Sequence, residues 1–217
     1  MIWWQVLLVV IVSYFCGNVS FSRIISKIKK DDITKLGSGN PGSTNVLRNY
    51  GFKFGILNLA LDMFKAFVPS LVAFYVFGQN YVMLYIAGLS SMLGHIYPVV
   101  YKFKGGKGIA SMLGVFLAAN PILTLIVIAI GAVMWAIFEY GSVVSFFCIT
   151  SMTVLEGIRA QLNLSINDRK IICFILFAIF AFTWYAHRKN IERLLLGKES
   201  KASLIKKTRA KLKSKKS

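Results

Sequence analysis

Charged residues, and acidic ones above all, are scarce in this sequence of 217 residues. Charged residues make up 16% of the chain and hydrophobic residues 56%, whereas soluble globular domains average about 25% charged and about 45–50% apolar residues. The chain has 8 acidic residues against 26 basic ones, and its net charge is +18. This composition excludes an ordinary soluble domain and argues against nucleic acid as a partner, because so apolar a chain needs lipid as its solvent.

Cysteine and histidine are also scarce. Cys16, Cys148 and Cys173 each lie within an apolar run and lack CxxC spacing, which favours free buried thiols over disulfides or redox motifs. Neither His95 nor His187 has a carboxylate or cysteine at ligand spacing, so the sequence predicts no metal site. No cofactor is expected.

Long apolar runs take up most of the chain. A transmembrane helix needs about 20 predominantly apolar residues. An eleven-residue run, Ile109–Ala119, covers only about half of a bilayer core at about 1.5 Å per residue. The longer predicted spans are Ile2–Phe21, Ile56–Phe77, Tyr81–Val100, Pro121–Phe138, Ser142–Ile158 and Ile171–Ala186.

Charge placement decides how the short run is interpreted, because basic residues collect on the cytoplasmic side of membrane proteins. If Ile109–Ala119 crosses the membrane, the loops 22–55 and 101–108 and the tail from Arg188 share one side. The sequence therefore predicts an all-α integral membrane protein with seven transmembrane helices, its amino terminus outside and its carboxyl terminus cytoplasmic. The basic residues that lie elsewhere are Lys65, Arg159, Arg169 and Lys170.

The predicted domain organisation is simple. Residues 1–197 form a single membrane domain, and residues 198–217 form a basic cytoplasmic tail. The simplest interpretation of the tail is a solvated arm near anionic headgroups.

The first polar segment of interest, Ser38–Gly51, is rich in glycine, asparagine and hydroxyl groups. Glycines in tight turns let successive backbone N–H groups point into one concavity that suits a phosphate, and arginine offers a planar fork to two phosphate oxygens. Two alternatives remain open: Asn45 could cap a helix, and Arg48 could be an ordinary positive-inside charge. The candidate ligands are Ser38, Gly39, Asn40, Gly42, Ser43, Thr44, Asn45 and Arg48.

The second segment, Gly94–Ala110, brings glycines and a lysine to the start of an apolar helix. Backbone donors, the positive end of the helix and one ammonium group would converge there. The pattern is not a Walker A loop, since glycine rather than serine or threonine follows the lysine. The candidates are Lys104, Gly105, Gly106, Lys107 and Gly108, with His95 as either a packing residue or a base.

The third segment, His187–Ser200, follows the last span. On a continuing helix, His187, Asn190 and Arg193 would share a broad face. Arg188 is a further phosphate-binding candidate, or a simple membrane anchor. A helix would place His187 and Glu192 about 140° apart, so they do not form a His–carboxylate dyad unless the helix ends first.

Several acidic residues interrupt the predicted spans or their ends. A charge in hydrocarbon costs several kcal/mol unless it is paired or wet, so Asp62 and Lys65, three residues apart, are predicted to form an ion pair that supports the site. Glu139, at a turn, and Glu156, near the outer end of a span, are interpreted as reaching headgroup water.

Together, the segments Ser38–Gly51, Gly94–Gly108 and His187–Glu199 resemble the three cytoplasmic motifs of the bacterial acyl-phosphate:glycerol-3-phosphate acyltransferases, the PlsY family, in the same order. The resemblance covers essentially the whole chain and implies seven spans in the bacterial inner membrane, with the active site on the cytoplasmic side. Ala66 and Glu139 depart from the residues common in that family, but both lie outside the motifs.

The resemblance implies transfer of an acyl chain from acyl phosphate to the 1-hydroxyl of glycerol 3-phosphate, which gives lysophosphatidic acid at the start of phospholipid synthesis. It implies membrane lipid as the surroundings and functional coupling to the enzyme that forms acyl phosphate. It also implies that activity depends most on Ser38, Arg48, Lys107 and Asn190, and that His95, Ser142 and His187 lie around them.

An acyl phosphate is an activated anhydride, so positioning and charge stabilisation suffice and no covalent acyl-enzyme is expected. Asn190, Ser38 or loop amides would donate to the oxyanion, and the base could be His95, His187 or a phosphate oxygen. The competing hypotheses are a membrane transporter of an organophosphate, a lipid-binding scaffold, and an acyltransferase that uses an acyl-CoA or acyl-carrier donor.

Overall fold

A computed structural model describes residues 2–201, and all regular secondary structure in that range is helical. Most of the predicted basic tail, residues 202–217, lies outside it. Two 3-10 turns, Ile33–Lys35 and Val99–Tyr101, accompany the α-helices. In chain order the helices are α1 (Trp3–Asn18), α2 (Phe21–Ile28), α3 (Ser43–Tyr50), α4 (Phe52–Val76), α5 (Tyr81–Ile96), α6 (Ile109–Ala119), α7 (Pro121–Phe138), α8 (Gly141–Asn163), α9 (Ile166–Ala186) and α10 (Arg188–Leu195).

Six helical segments in this range are long and apolar enough to cross a membrane. The first, Trp3–Ile28, combines α1 and α2, and the others contain α4, α5, α7, α8 and α9. The prediction of an all-α protein with several membrane-spanning helices is confirmed. The seventh crossing and the outside amino terminus stay predictions.

The short run Ile109–Ala119 is helix α6, with the predicted bounds. Most of its residues are buried, because it packs against α4, α5, α7 and α8. Asn120 separates it from α7, and the Asn120 side chain accepts a hydrogen bond from Leu123 N at 3.2 Å. Asparagine at the cap and Pro121 at the first helical position explain why α7 begins where the sequence predicts.

Other predicted span boundaries were wrong by several residues. Helix α4 begins at Phe52 rather than Ile56. It follows Gly51, whose φ of 90° interrupts the helical conformation between α3 and α4. Helix α9 begins at Ile166 rather than Ile171, because Ser165 caps it by accepting from Asp168 N. Helices α1, α5 and α8 likewise end at Asn18, Ile96 and Asn163.

Glycines bring α1 and α5 into close contact. A Cβ atom at Gly17 would lie 2.0 Å from the Ser91 carbonyl oxygen, and one at Gly94 would lie 2.1 Å from the Tyr14 carbonyl oxygen. Small residues at such crossings let helix backbones approach, which is how membrane helices gain packing energy in lipid. This contact places the inner end of α5, and the glycine-rich loop after it, against the amino-terminal helix.

The predicted Asp62–Lys65 ion pair is confirmed. Lys65 Nζ lies 2.8 Å from Asp62 Oδ1, and both side chains are almost fully buried. Lys65 Nζ also donates to the Val19 carbonyl at 2.6 Å. Because Val19 lies at the break between α1 and α2, the ammonium satisfies a carbonyl that the end of α1 leaves without a helical partner.

The interpretation of Glu156 as a headgroup-facing residue was wrong. Its side chain is fully buried, accepts from the Tyr85 hydroxyl at 2.5 Å and accepts from Arg159 Nε at 2.8 Å. Arg159 also lies over the Tyr81 ring, 4.6 Å from its centroid. The carboxylate faces α5 rather than the membrane surface, since a buried charge needs a partner of this kind.

Candidate active site

The three polar segments converge on one cavity of about 130 Å³. Helices α3, α6, α8 and α10 and the loops before α3 and α6 contribute to its walls, so the segments meet although Ser38 and Glu199 are 161 positions apart in the chain. The predicted site residues that line it are Ser38, Asn40, Gly42, Ser43, Thr44, Asn45, Arg48, His95, Lys107, Gly108, Ser142, His187, Asn190 and Arg193.

A wider cleft of about 750 Å³ adjoins this cavity. The remaining predicted residues, Gly39, Lys104, Gly105, Gly106 and Arg188, line the cleft rather than the cavity. The two spaces share a wall that consists of Ser38, Asn40, Lys107, Asn190 and Arg193.

Asn45 organises the loop before α3. Its Oδ1 accepts from Ser38 N at 3.1 Å, and its Nδ2 donates to the carbonyls of Ile33 at 3.2 Å and Leu36 at 2.9 Å. The residue that caps α3 is Gly42, so the hypothesis that Asn45 caps this helix was wrong. Since both amide donors of Asn45 are used inside the protein, its side chain holds Ser38 in place rather than offering a free donor to a ligand.

His95 supports the glycine-rich loop. Its carbonyl accepts from Gly106 N at 3.0 Å, and a Cβ at Gly106 would lie 2.1 Å from His95 Nε2. The loop therefore needs glycine at this position because the imidazole occupies the space of a side chain. Gly108, with a φ of 89°, then begins α6 directly after Lys107.

The last span ends at Ala186, and His187 joins it to α10. The predicted continuous helix is thus interrupted, although His187, Asn190 and Arg193 still face one cavity. His187 Nδ1 lies 2.9 Å from the Thr183 carbonyl, and since a carbonyl only accepts, Nδ1 carries the proton and Nε2 keeps its lone pair. Glu192 is exposed while His187 is buried, and the two form no dyad.

A carboxylate that sequence reasoning did not single out lies among the basic groups. Glu199 accepts from Ser142 Oγ at 2.9 Å, from Asn190 Nδ2 at 2.7 Å and from Arg193 Nε at 2.7 Å. Burial raises the pKa of Glu199, but the hydrogen bonds from Arg193, Asn190 and Ser142 outweigh it and lower that pKa below its usual value. The only sequence signal was an acidic residue in an otherwise basic stretch.

Lys107 and His187 have strongly shifted proton affinities. Burial, with the nearby Arg193 charge, lowers the pKa of Lys107 to about 8, although Glu199 opposes the shift. Lys107 Nζ donates to Asn190 Oδ1. Burial lowers the pKa of His187 to about 4, so at neutral pH the lysine is mostly charged and the imidazole is neutral.

Two predicted phosphate ligands that line the cleft, Arg188 and Lys104, have exposed side chains. Arg188 is exposed, lies over the Tyr185 ring at 4.3 Å and donates to the Tyr185 carbonyl at 3.1 Å, which favours the anchor interpretation. Lys104 contributes its carbonyl to a hydrogen bond from Arg23 NH2 at 2.8 Å. Arg48 NH2 donates to the Ser200 carbonyl at 2.7 Å.

Within residues 2–201, no three His, Cys, Asp or Glu side chains come together as metal ligands. Two titratable side chains that line the cavity, Asp62 and His95, lie close together, with Asp62 Oδ1 3.6 Å from His95 Nδ1.

Comparisons with known proteins agree with this arrangement. The family model described as Glycerol-3-phosphate acyltransferase matches residues 7–197. Proteins named glycerol-3-phosphate acyltransferase from Aquifex aeolicus and Finegoldia magna are 39% and 38% identical over 198 and 192 residues, which cover 90% and 88% of this chain and 98% and 93% of theirs.

Two crystal structures of PlsY (YgiH), an integral membrane glycerol 3-phosphate acyltransferase, share the fold at 36% identity. The glycerol 3-phosphate form gives a TM-score of 0.84 over 93% of this chain and 98% of that one. The lysophosphatidic acid form gives 0.80 over 91% and 95%. The chain therefore belongs to the glycerol-3-phosphate acyltransferase family and, within it, to the integral membrane PlsY type.

Proposed function

We propose that this protein transfers a fatty acyl chain from acyl phosphate to the 1-hydroxyl of sn-glycerol 3-phosphate and produces lysophosphatidic acid, the first step of phospholipid synthesis. The observation that carries the proposal is the convergence of Arg48, Lys107 and Arg193, from three distant segments, around one cavity. Membership of an acyltransferase family favours the enzyme over the transporter and scaffold hypotheses.

Both proposed substrates carry a phosphate, and the site offers two adjoining spaces. The cavity and the wider cleft share Lys107 and Arg193 at their boundary. Cationic donors at such a boundary reduce the repulsion between two phosphates, and arginine binds phosphate through paired hydrogen bonds. This layout supports two anionic substrates bound side by side.

The proposed reaction is direct. The glycerol oxygen attacks the acyl carbonyl carbon, the bond from that carbon to the phosphate oxygen breaks, and the hydroxyl proton ends on the released phosphate. Lys107 and Arg48 hold the phosphates, while Ser38, Asn190 or loop amides donate to the oxygen that gains negative charge. Preorganised donors of this kind contribute on the order of 3–4 kcal/mol each to transition-state stabilisation.

A phosphate oxygen is a better candidate for the base than His187. The second ionisation of a phosphate monoester has a pKa of about 6, whereas burial lowers the pKa of His187 to about 4. An oxygen of the glycerol 3-phosphate monoester is thus the stronger base of the two, and the proton ends on the phosphate released from acyl phosphate. We assign His187 an orienting role, with Nε2 as a hydrogen-bond acceptor.

Asn45 and Glu199 act as positioning residues in this proposal. Asn45 fixes the backbone of Ser38, and Glu199 fixes Asn190, Arg193 and Ser142 through three hydrogen bonds. His95 supports the backbone at Gly106 rather than acting as a base.

We further propose seven crossings, with α6 as a short one, the amino terminus outside and the active site on the cytoplasmic side of the bacterial inner membrane. The acyl chain would remain between helices in the bilayer while the polar groups react at the surface. Acyl phosphate would come from a separate acyl-phosphate-forming enzyme.

Purified protein, assayed with glycerol 3-phosphate and one acyl donor at a time, tests this function. We expect lysophosphatidic acid from acyl phosphate and none from acyl-CoA or acyl-carrier protein, without a covalently acylated protein in single-turnover samples. Product from acyl-CoA alone would contradict the donor, and an acylated Ser38 would contradict direct transfer.

A further inference from the structure

A chain of buried polar contacts connects membrane helix α4 to the active site. Asp62 is paired with Lys65 through Oδ1, and its Oδ2 accepts from Asn58 Nδ2 at 2.8 Å. The same Nδ2 donates to Ser43 Oγ at 2.9 Å. Asn58 is fully buried and does not line the cavity, whereas Ser43 does. The contacts therefore run from an intramembrane carboxylate to a hydroxyl at the site.

The Asp62 carboxylate fixes the orientation of the Asn58 amide. A carboxylate only accepts hydrogen bonds, so the donor end of the amide, Nδ2, must face it. The reverse orientation would place Asn58 Oδ1 against Asp62 Oδ2, two acceptors at hydrogen-bond distance inside the protein. Burying two facing acceptor oxygens with no donor between them is costly.

The orientation of the amide in turn decides what Ser43 can do. An amide nitrogen carries two hydrogens, and here one is directed to Asp62 Oδ2 and the other to Ser43 Oγ. Ser43 Oγ is therefore an acceptor in this contact, and its own proton is left for another group. Within the described residues Ser43 Oγ makes no other hydrogen bond, so the proton is available to an anion in the cavity.

We infer that Asn58 is a positioning residue that, held by Asp62, turns the Ser43 hydroxyl into a hydrogen-bond donor for a substrate oxygen. The identity of that substrate rests on the proposed function, whereas the polarity of the Ser43 hydroxyl follows from the contacts alone. Asp62 of the intramembrane ion pair, which itself lines the cavity, thereby also acts on ligand binding through Asn58 and Ser43.

A double-mutant cycle tests the inference. Equilibrium binding of glycerol 3-phosphate and the KM for each substrate are measured for the wild type, Asn58→Leu, Ser43→Ala and the double variant. A hydrogen bond to a charged group is worth roughly tenfold or more in affinity, so each single variant should weaken binding of one substrate by about tenfold. The double variant should be no weaker than either single variant, because both changes remove the same donor.

Asn58→Asp provides an isosteric variant with reversed polarity. Its carboxyl group must share a proton with Asp62, because two buried carboxylates at 2.8 Å cannot both be ionised. The oxygen that replaces Nδ2 then donates this proton to Asp62 Oδ2 and accepts from Ser43 Oγ, so Ser43→Ala should have no further effect in that background. Ser70→Ala is the matched control: Ser70 is fully buried on the same helix, donates to the Ala66 carbonyl at 2.7 Å and does not line the cavity. We expect wild-type binding from it.

The inference would be overturned if the double variant lost affinity by the product of the two single losses. It would also be overturned if Asn58→Leu and Asn58→Asp left the binding of both substrates unchanged. Failure of the wild type to use acyl phosphate would instead count against the proposed donor, since glycerol 3-phosphate binding is measured without it. Helix content by circular dichroism identifies any variant that has unfolded.

Discussion

The lowered pKa of Lys107 makes a specific prediction about the pH dependence of activity. Burial and the Arg193 charge lower the pKa of Lys107 to about 8, and only the charged amine can attract phosphate. Because kcat/KM reports ionisations of the free enzyme, it should be constant below this pKa and fall above it. The expected decrease is about fivefold from pH 8 to pH 9 and about tenfold for each further unit.

Lys107→Arg separates the charge from its titration. Arginine stays protonated throughout the accessible range, so this variant should lose the alkaline decrease even if its activity at neutral pH is lower. Lys107→Ala should lower kcat/KM by about 10²–10³, the usual cost of one electrostatic donor. Lys53→Ala removes an exposed basic residue outside the site and should leave both the rate and the profile unchanged.

Initial rates of lysophosphatidic acid formation, taken from pH 6 to pH 10 with substrate below KM, provide the measurement. Substrate phosphates are fully ionised over the alkaline half of this range, so they do not produce the same decrease. An alkaline limb that persists in Lys107→Arg would refute the assignment to this amine.

Three other predictions concern loop packing, electrostatics and topology. Gly106→Ala should destabilise the protein by about 1–3 kcal/mol through overpacking and abolish activity, whereas Gly157→Ala, where a Cβ meets no atom within 4 Å, should be neutral or stabilising in thermal unfolding. Glu199→Gln should shift the alkaline limb of kcat/KM to lower pH, since the carboxylate favours the charged amine; a shift to higher pH would contradict this. The topology is tested in a variant without native cysteines. Lys53→Cys should react with a membrane-impermeant maleimide only from the cytoplasmic side of the membrane, and Asn163→Cys only from the outer side. Labelling of both from one side would reject the seven-crossing topology.

Local signals in the sequence predicted elements well where the cause was itself local. The end of α6 and the start of α7 follow from Asn120 and Pro121, because a cap and an N-terminal proline act within one turn. The start of α4 was missed because Lys53 made its first turn look polar, although an α-helix accommodates lysine readily at the membrane surface.

Partners far apart in the chain explain what the sequence did not predict. Glu156 was assigned to headgroup water because hydropathy does not register Tyr85, 71 residues away. Asn45 carried a capping signal, but its contacts reach back to Ile33 and Leu36. Glu199 had no local signal beyond its negative charge in a basic stretch, since its role depends on Ser142 and Asn190 meeting in space.

The position of Glu199 also bears on how the protein is made. Its carboxylate joins α8, through Ser142, to α10 and the segment that follows it. A ribosome must therefore insert every membrane helix before it can complete this wall of the cavity. A nascent chain that stops short of residue 199 would hold Arg193 without this counter-ion, so the cavity is complete only after Glu199 has been synthesised.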